Sequence, residues 1–183
     1  YLQNLSLMFS LSWLVSNLYK GLVIHRYMFN YRNTKPSKLP KFMTTKEVRR
    51  FFKAFKLNTY NDIYHYYLFK TMYYTGARIS EALNIRLENI RFEERTIKIE
   101  ETKNGTEHIL LLPSTFNLKK WITTLKKFFP NTPYLFPAFY CKSSSLTARE
   151  RYFKKILKEA DLPSYFHPHS LRHSFAVNLL NSG

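Results

Sequence analysis

The chain has 183 residues, of which 29 are Lys or Arg and 12 are Asp or Glu, so its formal net charge is +17. Hydrophobic residues make up 45% of the sequence, which is enough to bury a core and excludes a disordered polycation. The single cysteine excludes an internal disulfide framework and a thiolate zinc cluster. We therefore expect a cytoplasmic globular protein whose partner is a polyanion, most often nucleic acid.

The first stretch of the chain is apolar, but it does not predict a membrane span. Serines and an asparagine interrupt residues 5–18, which fall short of the ~20 apolar residues that a bilayer requires. Leucines over residues 7–18 have helical spacing instead. Two prolines among polar and basic residues make residues 34–41 a linker. We expect residues 1–33 and 42–183 to belong to different domains.

The next segment predicts three helices. Capping boxes and a helix-ending glycine give their limits. The tyrosines of the second helix are expected to pack in a core rather than to stack on bases. The three elements are a first helix that starts at the capping box of Thr44 and Glu47, a second from near Asn61 to Tyr74 that ends at Gly76, and a third over residues 79–87.

The hydrophobic period then changes from helical to alternating. Ile97 and Ile99 alternate with charged residues, and a second apolar run covers residues 109–112. Between the runs lies Asn104-Gly105, a strong turn signal because both residues tolerate positive φ. A β-hairpin is predicted here, with Lys103 at or beside its tip.

Three further helices follow the hairpin. Their predicted starts are Ser114 as a cap, the capping box of Thr147 and Glu150, and Ser170 as a cap. The chain is therefore expected to be mainly α with a small β-hairpin or sheet, an α+β architecture.

Basic residues concentrate in two stretches, residues 35–56 and 119–158, where acidic residues are sparse. Each run alone is equally well explained as a solvated surface. Together they predict a surface that faces DNA phosphates. The residues expected to bind DNA are Lys46, Arg49, Arg50 and Lys53 on the first helix and Arg149, Arg151, Lys154 and Lys155 on the fifth.

Arg78 is the first residue with a chemical signature. It follows a helix-ending glycine and starts a new helix. Its charge adds to the positive end of the helix dipole there, and this arrangement favours the binding of an anion. Glu81 lies three residues later and can hold the guanidinium in one pose. A simple surface charge is the alternative for Arg78, and a solvated turn residue is the alternative for Lys103.

The segment from His167 to His173 is the other candidate. His169 and Arg172 lie about one turn apart on the same helix face. A metal site built on the three histidines is disfavoured, because no acidic residue or cysteine clusters with them. His173 lies beside the apolar face and is expected to be a satisfied core histidine.

Two of these segments resemble the tyrosine recombinase, or phage integrase, family. The motifs are YTGARISEAL at residues 74–83 and HSLRHSFA at residues 169–176, with the hairpin lysine between them. The resemblance covers about residues 39–183. It implies a catalytic domain over residues 42–183 that is incomplete at its C-terminus. It also implies that residues 1–33 are the end of an N-terminal helical domain that binds the core DNA site.

The resemblance also implies the roles of individual residues. Arg78 and Arg172 would bind the non-bridging oxygens of the scissile phosphate. Lys103 would be the general acid for the leaving 5′-oxygen, and His169 would assist in hydrogen bonding and proton transfer. The supporting residues would be Glu81, which is a buttress rather than a catalyst, and His173.

The family's nucleophile is a tyrosine downstream of the His-x-x-Arg motif, and this sequence has no tyrosine after Tyr165. We therefore expect a truncated chain that lacks the nucleophile and is itself inactive. For the whole protein, the resemblance implies site-specific DNA recombination or integration of a mobile element by a homotetramer on duplex DNA, without metal, other cofactor or membrane. The alternatives are a non-catalytic DNA-binding regulator, a type IB topoisomerase-like enzyme and a decayed, inactive copy.

Overall fold

The computed structural model describes residues 41–100, 107–137 and 146–181, with side chains from residue 147 in the last range. Its elements are α1 (Thr45–Lys53), α2 (Tyr60–Thr75), α3 (Ile79–Leu83), a 3₁₀ turn (Leu87–Asn89), β1 (Ile90–Arg91), β2 (Thr96–Ile99), β3 (His108–Leu111), α4 (Leu118–Phe128), α5 (Leu146–Glu159) and α6 (Pro168–Asn181). The expected α+β architecture, mostly helical with a small sheet, is confirmed. Within the described residues, no helix has the length and apolar character needed to cross a bilayer.

Residues 41–175 form one compact unit. The domain proposed for residues 1–33 and most of the linker at 34–41 lie outside the described residues, as do Lys103, Asn104 and Gly105 of the predicted turn. These domain limits and the turn therefore stay predictions.

Local sequence signals set the first helices. Thr44 and Glu47 form the predicted capping box of α1. Helix α2 begins after Thr59, which forms its own capping box with Asp62, and it ends at Gly76 as predicted. The third helix is shorter than predicted, because α3 ends at Leu83 and a separate 3₁₀ turn follows.

The predicted hairpin strands are present and antiparallel, with Ile97 opposite Leu110 and Ile99 opposite His108. A third strand, β1, was not predicted. It pairs with β2 through two residues, Ile90 and Arg91. Two residues are too short a run to show an alternating pattern.

Three predicted helix caps are wrong. Helix α4 is capped by Asn117, whose side chain accepts from the Lys120 amide, and not by Ser114. Thr147 lies inside α5. Ser170 lies inside α6, where its hydroxyl oxygen accepts from the His167 amide. In each case another residue starts the helix.

The core of this unit is rich in aromatic rings. Phe51 of α1, Phe69 of α2 and Phe153 of α5 meet with ring centroids 4.7–6.1 Å apart. Trp121 of α4 is fully buried, and its indole nitrogen donates to the Leu135 carbonyl at 2.9 Å. The tyrosines of α2 pack with these rings: Tyr64 is buried, and the half-buried ones are Tyr60, Tyr66, Tyr67, Tyr73 and Tyr74.

Candidate active site

The buried carboxylate of Glu81 is the centre of the candidate site. Glu81 is 2% exposed and lies on α3, directly after the end of α2. Its Oε1 accepts from Nη1 of Arg78 at 2.7 Å, and its Oε2 accepts from the Arg78 backbone amide at 2.7 Å. Glu81 therefore fixes both the backbone and the side chain of Arg78, as the spacing of three residues predicts.

Arg172 reaches the same carboxylate from α6. Its Nη1 lies 3.5 Å from Oε2 of Glu81 and donates to the Gly76 carbonyl at 2.6 Å. The two arginines are far apart in the sequence, yet both guanidinium groups contact one buried carboxylate. The expectation that Arg78 and Arg172 converge agrees with this geometry.

The backbone at Gly76 makes this approach possible. Gly76 has a φ of +68°, a conformation that side chains other than glycine adopt at a cost. A Cβ atom placed there would lie 2.7 Å from Cδ1 and 2.9 Å from Cε1 of Phe175, which lies on α6 beyond Arg172. The end of α2 and the helix that carries Arg172 can therefore pack this closely only around a glycine.

The electrostatic balance of the three groups favours an anion. Burial alone raises the pKa of Glu81, but hydrogen bonds from Arg78 and the charges of Arg172 and Arg78 outweigh it and hold the pKa below its ordinary value. Glu81 is thus ionised at neutral pH and compensates one of the two guanidinium charges. The Arg78 side chain is 40% exposed, so the remaining positive charge faces solvent.

His169 lies in the same electrostatic environment. The residue is exposed overall, but partial desolvation of its imidazole and the positive charges of His167, Arg172 and Arg78 lower the pKa of the ring. Burial, followed by the charges of its histidine neighbours and Arg172, lowers the pKa of His173 to about 4. Both rings are therefore neutral at pH 7. His173 is half-buried rather than part of the core.

His108 was missed by the sequence interpretation. Its Nε2 lies 3.9 Å from Oε1 of Glu81, and its side chain is 11% exposed. The alternating pattern contained the signal, because residues 108 and 110 share one face of β3 and Leu110 is buried. Lys103 lies outside the described residues, so its predicted role as general acid stays a prediction.

Among the residues that the structure describes, no group of three or more His, Cys, Asp or Glu side chains is placed to hold a metal ion.

Six of the eight residues predicted to bind DNA are exposed. They are Lys46, Arg49, Arg50 and Lys53 on α1 and Arg151 and Lys155 on α5. Exposed basic side chains on two helices can reach phosphate groups, and their binding role stays a prediction.

Three of the eight are buried or bonded within the fold: Arg149 is buried, and Arg50 and Lys154 donate to backbone carbonyls. Arg149 is only 6% exposed, so the prediction that it faces outward is wrong; it lies four residues before Phe153 and shares its buried face. Arg50 donates to the carbonyls of Ala160 and Asp161 at the end of α5. Lys154 donates to two carbonyls just before α6 (those of Ser164 and Phe166), both at 2.6 Å.

Several curated tyrosine recombinases are similar to this chain. A tyrosine recombinase of Thermosipho africanus is 32% identical over 148 residues, which cover 80% of this chain and 50% of that protein. Tyrosine recombinase XerA of Pyrococcus furiosus is 30% identical over 155 residues, which cover 83% of this chain and 52% of that protein. The chain spans about half the length of the curated relatives it matches.

Solved structures show the same fold. The XerA recombinase crystal structure matches with a TM-score of 0.66 and 23% identity over 82% of this chain and 53% of that one. A XerH recombinase bound to its difH substrate matches with the same TM-score and identity over 82% of this chain and 46% of that one. The sequence model of the phage integrase family matches residues 41–183, well over half of the sequence. On this match, the chain belongs to the phage integrase family.

Proposed function

We propose that this protein is part of a site-specific tyrosine recombinase, which cleaves and rejoins duplex DNA through a 3′-phosphotyrosyl intermediate. The observation that carries the proposal is the convergence of Arg78 and Arg172 on the buried carboxylate of Glu81. Two guanidinium groups and one carboxylate carry a net positive charge, and the exposed fraction of Arg78 makes that charge accessible to a phosphate.

The arginine pair suits the charge that develops in phosphoryl transfer. Guanidinium groups present N–H donors in a planar fork that matches phosphate oxygens. Donors that are already oriented stabilise the transition state without a cost of reorganisation. Glu81 supplies that orientation, because it holds Arg78 by two hydrogen bonds and Arg172 by an ion pair.

The reaction exchanges one phosphorus–oxygen bond for another. A tyrosine oxygen attacks the scissile phosphorus, the bond to the 5′-oxygen breaks, and the phosphotyrosyl bond conserves the energy for rejoining. The neutral imidazole of His169 is the candidate acceptor for the tyrosine proton. Lys103 is the candidate donor to the leaving 5′-oxygen, and reversal of the same steps joins the new strand.

The proposed partners follow from the charge and the relatives. Exposed basic residues on α1 and α5 would bind duplex DNA, and binding should weaken with salt as phosphate contacts release counterions. A homotetramer on two DNA sites is proposed for the whole protein, because a solved lambda integrase is a tetramer on a Holliday junction. Integration of a mobile element is the narrower proposal, and the place of action would be the cytoplasm.

The test is the formation of a covalent protein–DNA adduct. The chain spans about half the length of its curated relatives, so the experiment uses the complete product of the gene. It is incubated with a library of nicked duplexes of random sequence, in which cleavage beside the nick frees a short strand and traps the adduct. We expect an adduct that survives SDS, and the trapped duplexes give the target sequence.

Variants then separate a recombinase from a DNA-binding regulator. Arg78→Ala and Arg172→Ala should each lower the rate of adduct formation about 100- to 1,000-fold, as loss of one oriented donor does. Arg91→Ala is the matched control, because Arg91 is exposed and pairs only with Glu94 among the contacts described. A wild-type protein that binds the library but forms no adduct, or arginine variants as active as Arg91→Ala, would refute the proposed function.

A further inference from the structure

His108 connects the sheet to the candidate active site. It occupies the first position of β3, opposite Ile99 on β2, and its side chain is 11% exposed. Its Nε2 lies 3.9 Å from Oε1 of Glu81. That distance is too long for a hydrogen bond, but a proton carried on Nε2 would attract the carboxylate across it.

The Glu81 carboxylate thereby has neighbours on three parts of the chain. Oε1 accepts from the Arg78 side chain at 2.7 Å and faces His108, while Oε2 faces Arg172 at 3.5 Å. Rotation of the carboxylate would change both arginine contacts together. A group that restricts this rotation therefore restricts the positions of both guanidinium groups.

We propose that His108 is a positioning residue that holds the Glu81 carboxylate and, through it, orients the arginine pair on the scissile phosphate. The inference rests on the proposed function, since it assigns His108 to the reaction that Arg78 and Arg172 would perform. His108 itself does not contact the phosphate in this assignment. Its effect passes through one buried carboxylate.

The proposal predicts that the effect of His108 on the reaction rate depends on the negative charge of the scissile phosphate. An ordinary scissile phosphate is an anion that the arginine pair must neutralise. A methylphosphonate at the same position has a methyl group in place of one non-bridging oxygen and is uncharged. A defect in arginine orientation should therefore be large with the phosphate and small with the methylphosphonate.

The experiment compares two variants on the duplex selected from the library, with either group at the scissile position. His108→Leu removes the ring nitrogens that face Glu81, while His108→Gln supplies an amide N–H in place of Nε2. With saturating protein, we expect His108→Leu to form adduct about 10-fold more slowly on the phosphate, equivalent to about 1.4 kcal/mol. His108→Gln should recover most of that rate, and the methylphosphonate should remove most of the defect.

Ile109→Ala is the matched control, because the neighbouring side chain is 64% exposed on the other face of β3. Urea unfolding of each variant shows whether slower adduct formation results only from a loss of stability. An equal loss on both substrates, no loss on either, or no recovery with His108→Gln would overturn the inference. Absence of an adduct with the wild-type protein would instead refute the proposed function, so the two failures are distinguishable.

Discussion

Replacing Glu81 by alanine is expected to lower the free energy of unfolding by about 3–5 kcal/mol, the usual cost of removing one partner of a buried ion pair. The change leaves Arg78 without its side-chain acceptor and its backbone acceptor, and leaves Arg172 without its counter-charge. The free energy of unfolding of a domain of this size is roughly 5–15 kcal/mol, so the substitution would remove a large part of it. Urea unfolding at neutral pH measures the loss.

The pH dependence provides an independent check on the Glu81 variants. Because the folded state lowers the pKa of Glu81, ionised Glu81 stabilises the protein above its unfolded pKa of about 4.3. That contribution is lost as the pH falls through the folded value, so Glu81→Gln should unfold with a weaker dependence on pH below about 4.3. Glu88→Ala, which breaks the exposed pair with Arg86, should change neither property. Wild-type stability in Glu81→Ala would contradict the assigned contacts.

Replacing Gly76 by alanine is expected to cost about 2–5 kcal/mol, from two sources. A side chain at a φ of +68° costs about 1–2 kcal/mol, and overpacking adds about 1–3 kcal/mol. The overpacking comes from the Phe175 ring, which would lie 2.7 Å from the new Cβ. Since Gly76 also accepts a hydrogen bond from Arg172, adduct formation by the complete protein should fall with stability.

A second background separates the two costs. In a protein that already carries Phe175→Ala, the ring is absent, and Gly76→Ala should then cost only the backbone part of about 1–2 kcal/mol. Urea unfolding of the two single variants and the double variant gives this difference. An equal cost of Gly76→Ala in both backgrounds would show that the glycine is not required for the approach of α6.

The features that the sequence predicted well depend on neighbours along the chain. The capping box at Thr44, the αL glycine at Gly76 and the pairing of Glu81 with Arg78 each need contacts within four residues. Such contacts leave a direct pattern in the sequence. The hairpin strands, whose register was not predicted, belong to the same class, because adjacent strands joined by a short turn pair with each other.

The features that were missed depend on which face of an element meets another. Ser170 has the chemistry of a cap, but α6 begins earlier and the hydroxyl of Ser170 accepts from the His167 amide. Arg149 carries a charge, yet its spacing from Phe153 places it on the buried face. The convergence of Arg78 and Arg172 was expected only from the family resemblance, and the contact of Arg172 with Glu81 was not predicted, since no local pattern relates residues so distant in sequence.

The central claim is that Arg172 and Glu81 contact each other, and a double-mutant cycle measures it directly. Urea unfolding is compared for Glu81→Gln, Arg172→Met, the double variant and the wild-type protein. Residues in contact couple by about 0.5–3 kcal/mol, and we expect about 1 kcal/mol or more at this buried pair. Additivity within about 0.5 kcal/mol, the behaviour of distant residues, would show that the two arginines do not share one carboxylate.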